Sequence, residues 1–118
     1  MNLVLRPGTP ADAERCGAVC FEAFGAIAAR HGYPHDFPSI EIAMAFVATL
    51  LSNPHVYSVV AECDGRIVGS NFLDERAVVS AVGPITVDPE VQDGAVGRRL
   101  MEHVLARASE RRGSTTRT

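Results

Sequence analysis

The sequence predicts an α+β fold in which helices are layered on a mixed, mostly antiparallel sheet. Three observations carry that expectation. A short apolar strand precedes two helical segments; the middle of the chain is rich in β-formers separated by tight turns; and the last helix is entered through small residues directly after a strand.

The elements follow in order. Leu3, Val4 and Leu5 form the first strand. Thr9-Pro10-Ala11-Asp12 is a helix start, with Thr9 as cap, Pro10 in the first helical position and Asp12 in the first turn. Ala13, Cys16, Cys20, Ala23, Phe24 and Ile27 recur at helical spacing and predict one buried face. That helix should end near Arg30, before the loop His31-Gly32-Tyr33-Pro34. Pro38-Ser39 opens a second helix with Ile42, Phe46, Val47, Leu50 and Leu51 inward, and Asn53-Pro54 stops it. Val56 to Glu62 reads as a strand, Asp64-Gly65 as a hairpin turn, and Arg66 to Leu73 as the returning strand. After Asp74-Glu75-Arg76, residues Val78 to Val87 predict a long strand with a bulge or splay at Gly83-Pro84, where proline removes a ladder donor. Val96, Leu100, Val104, Leu105 and Ala108 then mark the inner face of a final helix that frays by Gly113. Residues 1–113 make one domain, and the polar stretch 114–118 is expected to be a disordered tail.

Composition narrows the function classes. The chain has 118 residues, 47% of them hydrophobic, enough for one domain with one core. Net charge is −3, and no basic stripe marks a nucleic-acid surface. All 11 basic residues are Arg, as expected of a GC-rich coding sequence. No apolar run approaches the roughly 20 residues that span a bilayer, and the N-terminus lacks the layout of a signal peptide. Three cysteines form no disulfide framework, which together with the other features predicts a cytoplasmic protein without membrane contact.

The informative stretch runs from Ile85 to Met101, where a strand leaves through Val87-Asp88-Pro89 and enters a helix through Gly94, Ala95 and Gly97. The first amides of a helix have no intrahelical partner, and with the helix dipole they make an anion site that small residues let a phosphate approach. Physics alone predicts a phosphate-binding turn. The segment also resembles motif A of the GNAT N-acetyltransferase superfamily, Gln/Arg-x-x-Gly-x-Gly/Ala after a strand ending in Val-x-Pro, with Gln92, Ala95 and Gly97 at the defining positions. Arg6 to Asp12 resembles the family's opening strand and helix start, and Val60-Ala61-Glu62, Asp64-Gly65 and Ile67-Val68-Gly69 its second and third strands. Ala95 departs from the usual glycine, but the contact needs only its N–H.

The resemblance implies acetyl-coenzyme A as co-substrate and acetyl transfer to an amine acceptor, a small molecule or a peptide. Carried over by position, Ile85, Thr86 and Val87 would meet the pantetheine arm, and Gln92, Asp93, Gly94, Ala95, Val96, Gly97 and Arg98 would surround the diphosphate. Arg99 reaches a further phosphate or faces solvent. Negative charge at Asp88, Glu90 and Asp93 is expected to be muted by solvent screening. The family's later strands and its thiolate-protonating Tyr fall beyond Thr118, so a truncated enzyme of weak or no activity is expected; the alternative is a non-catalytic acetyl-CoA-binding module or a half-fold completed by a partner chain. A homodimer through the exposed sheet edge follows.

Outside the motif, residue types leave alternatives open. Asp74 and Glu75 are the nearest acids for a general base, against the more frequent reading of solvated turn residues. The loop His31 to Phe37 lines an acceptor mouth or packs on itself. Cys16 and Cys20, one helical turn apart, behave as small buried hydrophobes in preference to metal ligands. His55 and His103 have no evident partners and read as surface or boundary residues.

Overall fold

A computed structural model describes residues 2–77, 79–91 and 94–116, the stretch 112–116 as helical backbone. The elements are β1 (Leu3–Pro7), a 3-10 turn (Pro10–Asp12), α1 (Ala13–His31), α2 (Ile40–Ser52), β2 (Val56–Cys63), β3 (Arg66–Asp74), β4 (Ala81–Val82), β5 (Thr86–Val87) and α3 (Ala95–Thr116). The sheet is antiparallel, in the order β1-β2-β3, with β4 and β5 both paired to the far side of β3.

Two apolar clusters make it three layers. Cys16, Cys20, Val47 and Leu51 of α1 and α2 pack on Val56, Val60, Ile67 and Phe72, one face of the sheet. Val96, Leu100 and Val104 of α3 pack on Val59, Ala61, Val68 and Leu73, the other face. Ile67 and Phe72 lie five residues apart yet share a face, which strict alternation forbids. The β2–β3 register explains it: Glu62 pairs with Ile67 and Ala61 with Gly69, leaving Val68 as the extra residue of a β-bulge.

The helix boundaries follow from local chemistry. Asp12 accepts from the Thr9 N–H at 2.8 Å and from both Arg6 Nη atoms at 2.9 Å. The Arg6 guanidinium holds the Asp12 carboxyl down at about 2. Thr9 is the N-cap, as expected, and forms a capping box with Asp12. α1 ends at Gly32, whose φ of 70° only glycine adopts without strain. The Ser39 hydroxyl caps α2 by accepting from the Ile42 N–H at 3.3 Å.

Several sequence expectations need correction. On α2 the buried face is Ala43, Val47 and Leu51; Ile42 is 49% exposed and Phe46 39%. The cause is α1, whose Gly17 lets the Met44 backbone approach so closely that a Cβ on Gly17 would lie 2.5 Å from the Met44 Cα. That contact turns α2 toward its small residues. Ile27 of α1 and Leu105 of α3 are likewise half exposed, since each helix meets the sheet along a narrow seam. The long strand expected over Val78–Val87 is two short pieces. Leu73 pairs with Val82 but Ser70 with Thr86, a one-residue slip that places the expected bulge at Gly83-Pro84-Ile85. Val78 lies outside the described residues. Finally, α3 continues past Gly113 to Thr116, so the fray expected at Gly113 is not seen, and residues 117 and 118 lie outside the described residues.

Both β5 and α3 approach β3 closely at Gly69. A Cβ there would lie 2.8 Å from the Thr86 carbonyl oxygen and 3.0 Å from Leu100 Cδ1. Gly69→Ala is therefore expected to destabilise the fold by about 2 kcal/mol, by pushing β5 and α3 off β3. Urea unfolding checks this, and an unchanged midpoint would show that the junction yields freely.

Candidate functional site

The candidate site begins where β5 leaves the sheet. The Asp88 N–H donates to the Val68 C=O at 2.7 Å, its C=O accepts from the Val91 N–H at 2.9 Å, and its Oδ1 accepts from the Glu90 N–H at 3.0 Å. These bonds fold Asp88-Pro89-Glu90 into a tight turn. Gln92 and Asp93 lie outside the described residues. In α3 the first full helical bond runs from the Arg98 N–H to the Gly94 C=O at 3.3 Å, so the amides of Val96 and Gly97 precede it. Val96 turns its side chain into the core and is fully buried, which anchors the helix start while its N–H stays at the helix mouth. Gly94 has open space around it, and a Cβ on Gly97 would make only an ordinary 3.8 Å contact with Val87. Arg98 and Arg99 are exposed on the first turn.

The remaining motif residues line a cleft. Ile85, Thr86, Val87 and Pro89 form one wall, and Ala23, Phe24, Ala26, Ile27 and Arg30 of α1 the other, around 290 Å³. Half-exposed Ile27 thus faces the cleft and not the core. Thr86 is buried, within 3.5 Å of the Ser70 hydroxyl. The Ile85 N–H, within the one-residue slip, meets no acceptor among the described residues. The cleft and the helix mouth flank the same strand. This arrangement suits a long ligand with an anionic end and a thinner, less polar arm.

The acids behave otherwise than turn chemistry suggests. Asp88 is only 4% exposed, so solvent does not screen it; the Arg15 Nη2 pairs with its Oδ2 at 3.0 Å instead. Asp74 is clamped by Arg76, which holds its carboxyl down at about 2. Glu75 accepts from Arg107 Nε at 2.7 Å and lies 3.6 Å from Arg111 Nε. Neither acid stands free as a proton acceptor. Arg107 also lies 4.0 Å above the Tyr57 ring, and the Tyr57 hydroxyl meets His103 Nε2 at 2.7 Å. His103 therefore has a definite partner, which sequence spacing across 46 residues does not reveal.

Within His31 to Phe37, His35 and Phe37 pack on the molecule, while residues 31–34 and Asp36 are exposed. His35 stacks on Phe21 at 4.2 Å, its Nε2 meets the Phe21 C=O at 2.9 Å, and its Nδ1 accepts from the Phe37 N–H at 3.0 Å. The Tyr33 ring, 71% exposed, stacks with the exposed His31 ring. Cys16 and Cys20 are core residues, and burial pushes both thiols up to about 11. No group of three metal-ligating side chains occurs among the described residues, and no helix there is long and apolar enough to cross a membrane.

A three-layer domain with a helix mouth behind a bulged strand defines the class. The model of the Acetyltransferase (GNAT) family matches residues 21–118, and the chain belongs to that family. Among solved structures, a GNAT family acetyltransferase from Brucella melitensis, determined with acetyl-CoA, is 27% identical over 96% of this chain and 70% of its own, with a TM-score of 0.68. The PaiA N-acetyltransferase of Thermoplasma acidophilum, in complex with coenzyme A, is 16% identical, with a TM-score of 0.69 over 93% of this chain and 74% of its own. An aminoglycoside acetyltransferase from an uncultured soil metagenomic sample is 20% identical, with a TM-score of 0.62 over 94% and 74% of the two chains. The latter two establish likeness of fold. No curated protein matches the chain significantly.

The three thiols are free, two of them buried. A thiol-reactive dye at pH 8 is expected to label Cys63 in the native protein, and Cys16 and Cys20 only after unfolding. Rapid native labelling of all three would contradict the core assignment.

Proposed function

We propose that this chain binds acetyl-coenzyme A and transfers the acetyl group to an amine acceptor. The observation that carries the reading is the pair of amides at Val96 and Gly97, ahead of the first helical bond and beside a cleft that continues along Ile85–Val87. Those amides, with exposed Arg98, suit a diphosphate; the narrow, mainly apolar cleft suits the pantetheine arm. Membership of the GNAT family supports the same reading. In the reaction the neutral amine attacks the thioester carbonyl, the C–N bond forms and the C–S bond breaks, the nitrogen gives up one proton, and the departing thiolate takes one. The Ile85 N–H is the donor we assign to the developing oxyanion.

Titration calorimetry distinguishes the proposal from a generic nucleotide site. Acetyl-CoA is expected to bind at micromolar to sub-millimolar concentration, and ATP far more weakly. Gly97→Asp, which the open surroundings of Gly97 accommodate, places a carboxylate at the helix mouth and should weaken acetyl-CoA binding about ten-fold, a cost of about 1.4 kcal/mol. Absence of acetyl-CoA binding at millimolar concentration would end the reading.

We also propose self-association through the outer edge of β4 and β5. Supporting it, both strands pair only with β3 among the described residues, and Val79 (82% exposed) and Val82 offer apolar surface beside the edge. Unpaired strand edges recruit further strands. Light scattering should give a dimer mass that Val82→Lys returns to monomer. A monomeric native protein at high concentration would refute this.

A further inference from the structure

We infer that Arg15 is a positioning residue for the diphosphate turn, acting through Asp88 as the counter-charge that lets an acidic turn hold an anion; this rests on the coenzyme reading above. Arg15 lies in the first turns of α1, far in sequence from the motif. Its Nε donates to the Ile67 C=O at 3.0 Å and its Nη2 to Asp88 Oδ2 at 3.0 Å. The neighbouring Val68 C=O accepts from the Asp88 N–H. Successive strand carbonyls normally point to opposite sides; the bulge at Val68 is what gives both to this corner. Asp88 in turn holds the Glu90 and Val91 amides, so the hydrogen-bonded link runs from α1 through the bulge into the turn that delivers α3.

The electrostatics give the link its purpose. The Asp88 side chain is 5% exposed and that of Arg15 28%. A buried carboxylate is poorly screened, and without a partner it would repel a diphosphate bound a few residues away. With Arg15 in place the corner is neutral, and Asp88 shapes the turn without repelling the ligand. Arg15 thus balances charge and Asp88 sets geometry, and Asn at position 88 would keep the Oδ1 acceptor while shedding the charge.

The test compares single and double variants by calorimetric titration with coenzyme A, the melting midpoint of the ligand-free protein serving as a check of folding. Arg15→Gln should weaken binding about ten-fold or more, because it strands the Asp88 charge. The double variant R15Q/D88N should return to within about three-fold of the unmodified chain, since the charge it would strand is gone. Arg15→Lys, which keeps the charge, should also stay within about three-fold. A merely structural Arg15 would leave the double variant as weak as R15Q, which would overturn the inference. So would an R15Q variant that binds like the unmodified chain, or an R15K variant as impaired as R15Q. If the unmodified chain itself fails to bind coenzyme A, the coenzyme reading falls first and this inference with it.

Discussion

The structure depends on how closely β3 is approached from its neighbours. At Gly69 the Thr86 carbonyl and the Leu100 side chain come within distances that any Cβ would block. One residue earlier the strand bulges at Val68, turning two carbonyls toward Arg15 and Asp88. Both features act on the same strand within three residues. Together they fix β5 and the start of α3 relative to the sheet, and so they fix where the helix mouth opens.

The charged groups obey a second constraint. Asp12, Asp74, Glu75 and Asp88 each face an arginine, and Arg107 serves both Glu75 and the Tyr57 ring. Buried or half-buried carboxylates are stable only when paired. Each of these four acids is thus committed to an arginine partner that fixes a loop or helix end.

Much of the architecture was legible in advance because it rests on local chemistry. The order of strands and helices, the hairpin at Asp64-Gly65 and the bulge near Pro84 follow from periodicity, turn residues and the missing proline donor. The resemblance to the GNAT motif pointed to Ile85–Arg98; of these, Ile85, Thr86 and Val87 line a cleft, and Ala95 to Arg98 begin α3. Legibility failed where a residue's environment comes from distant chain. Ile42, Phe46, Ile27 and Leu105 lie at apolar positions in the helical pattern, yet the narrow seams and the Gly17–Met44 contact leave them half exposed.

The sequence by itself determined the class of fold, the sites of the turns and the run of small residues that opens α3, since backbone sterics and periodicity act over a few residues. Only the tertiary structure decided which charges meet. Arg15 and Asp88 are 73 positions apart, and Tyr57 and His103 are 46 apart. No local rule connects such pairs. Arg15 reaches Asp88 at the β-bulge of β3, and Tyr57 reaches His103 where α3 packs on β2.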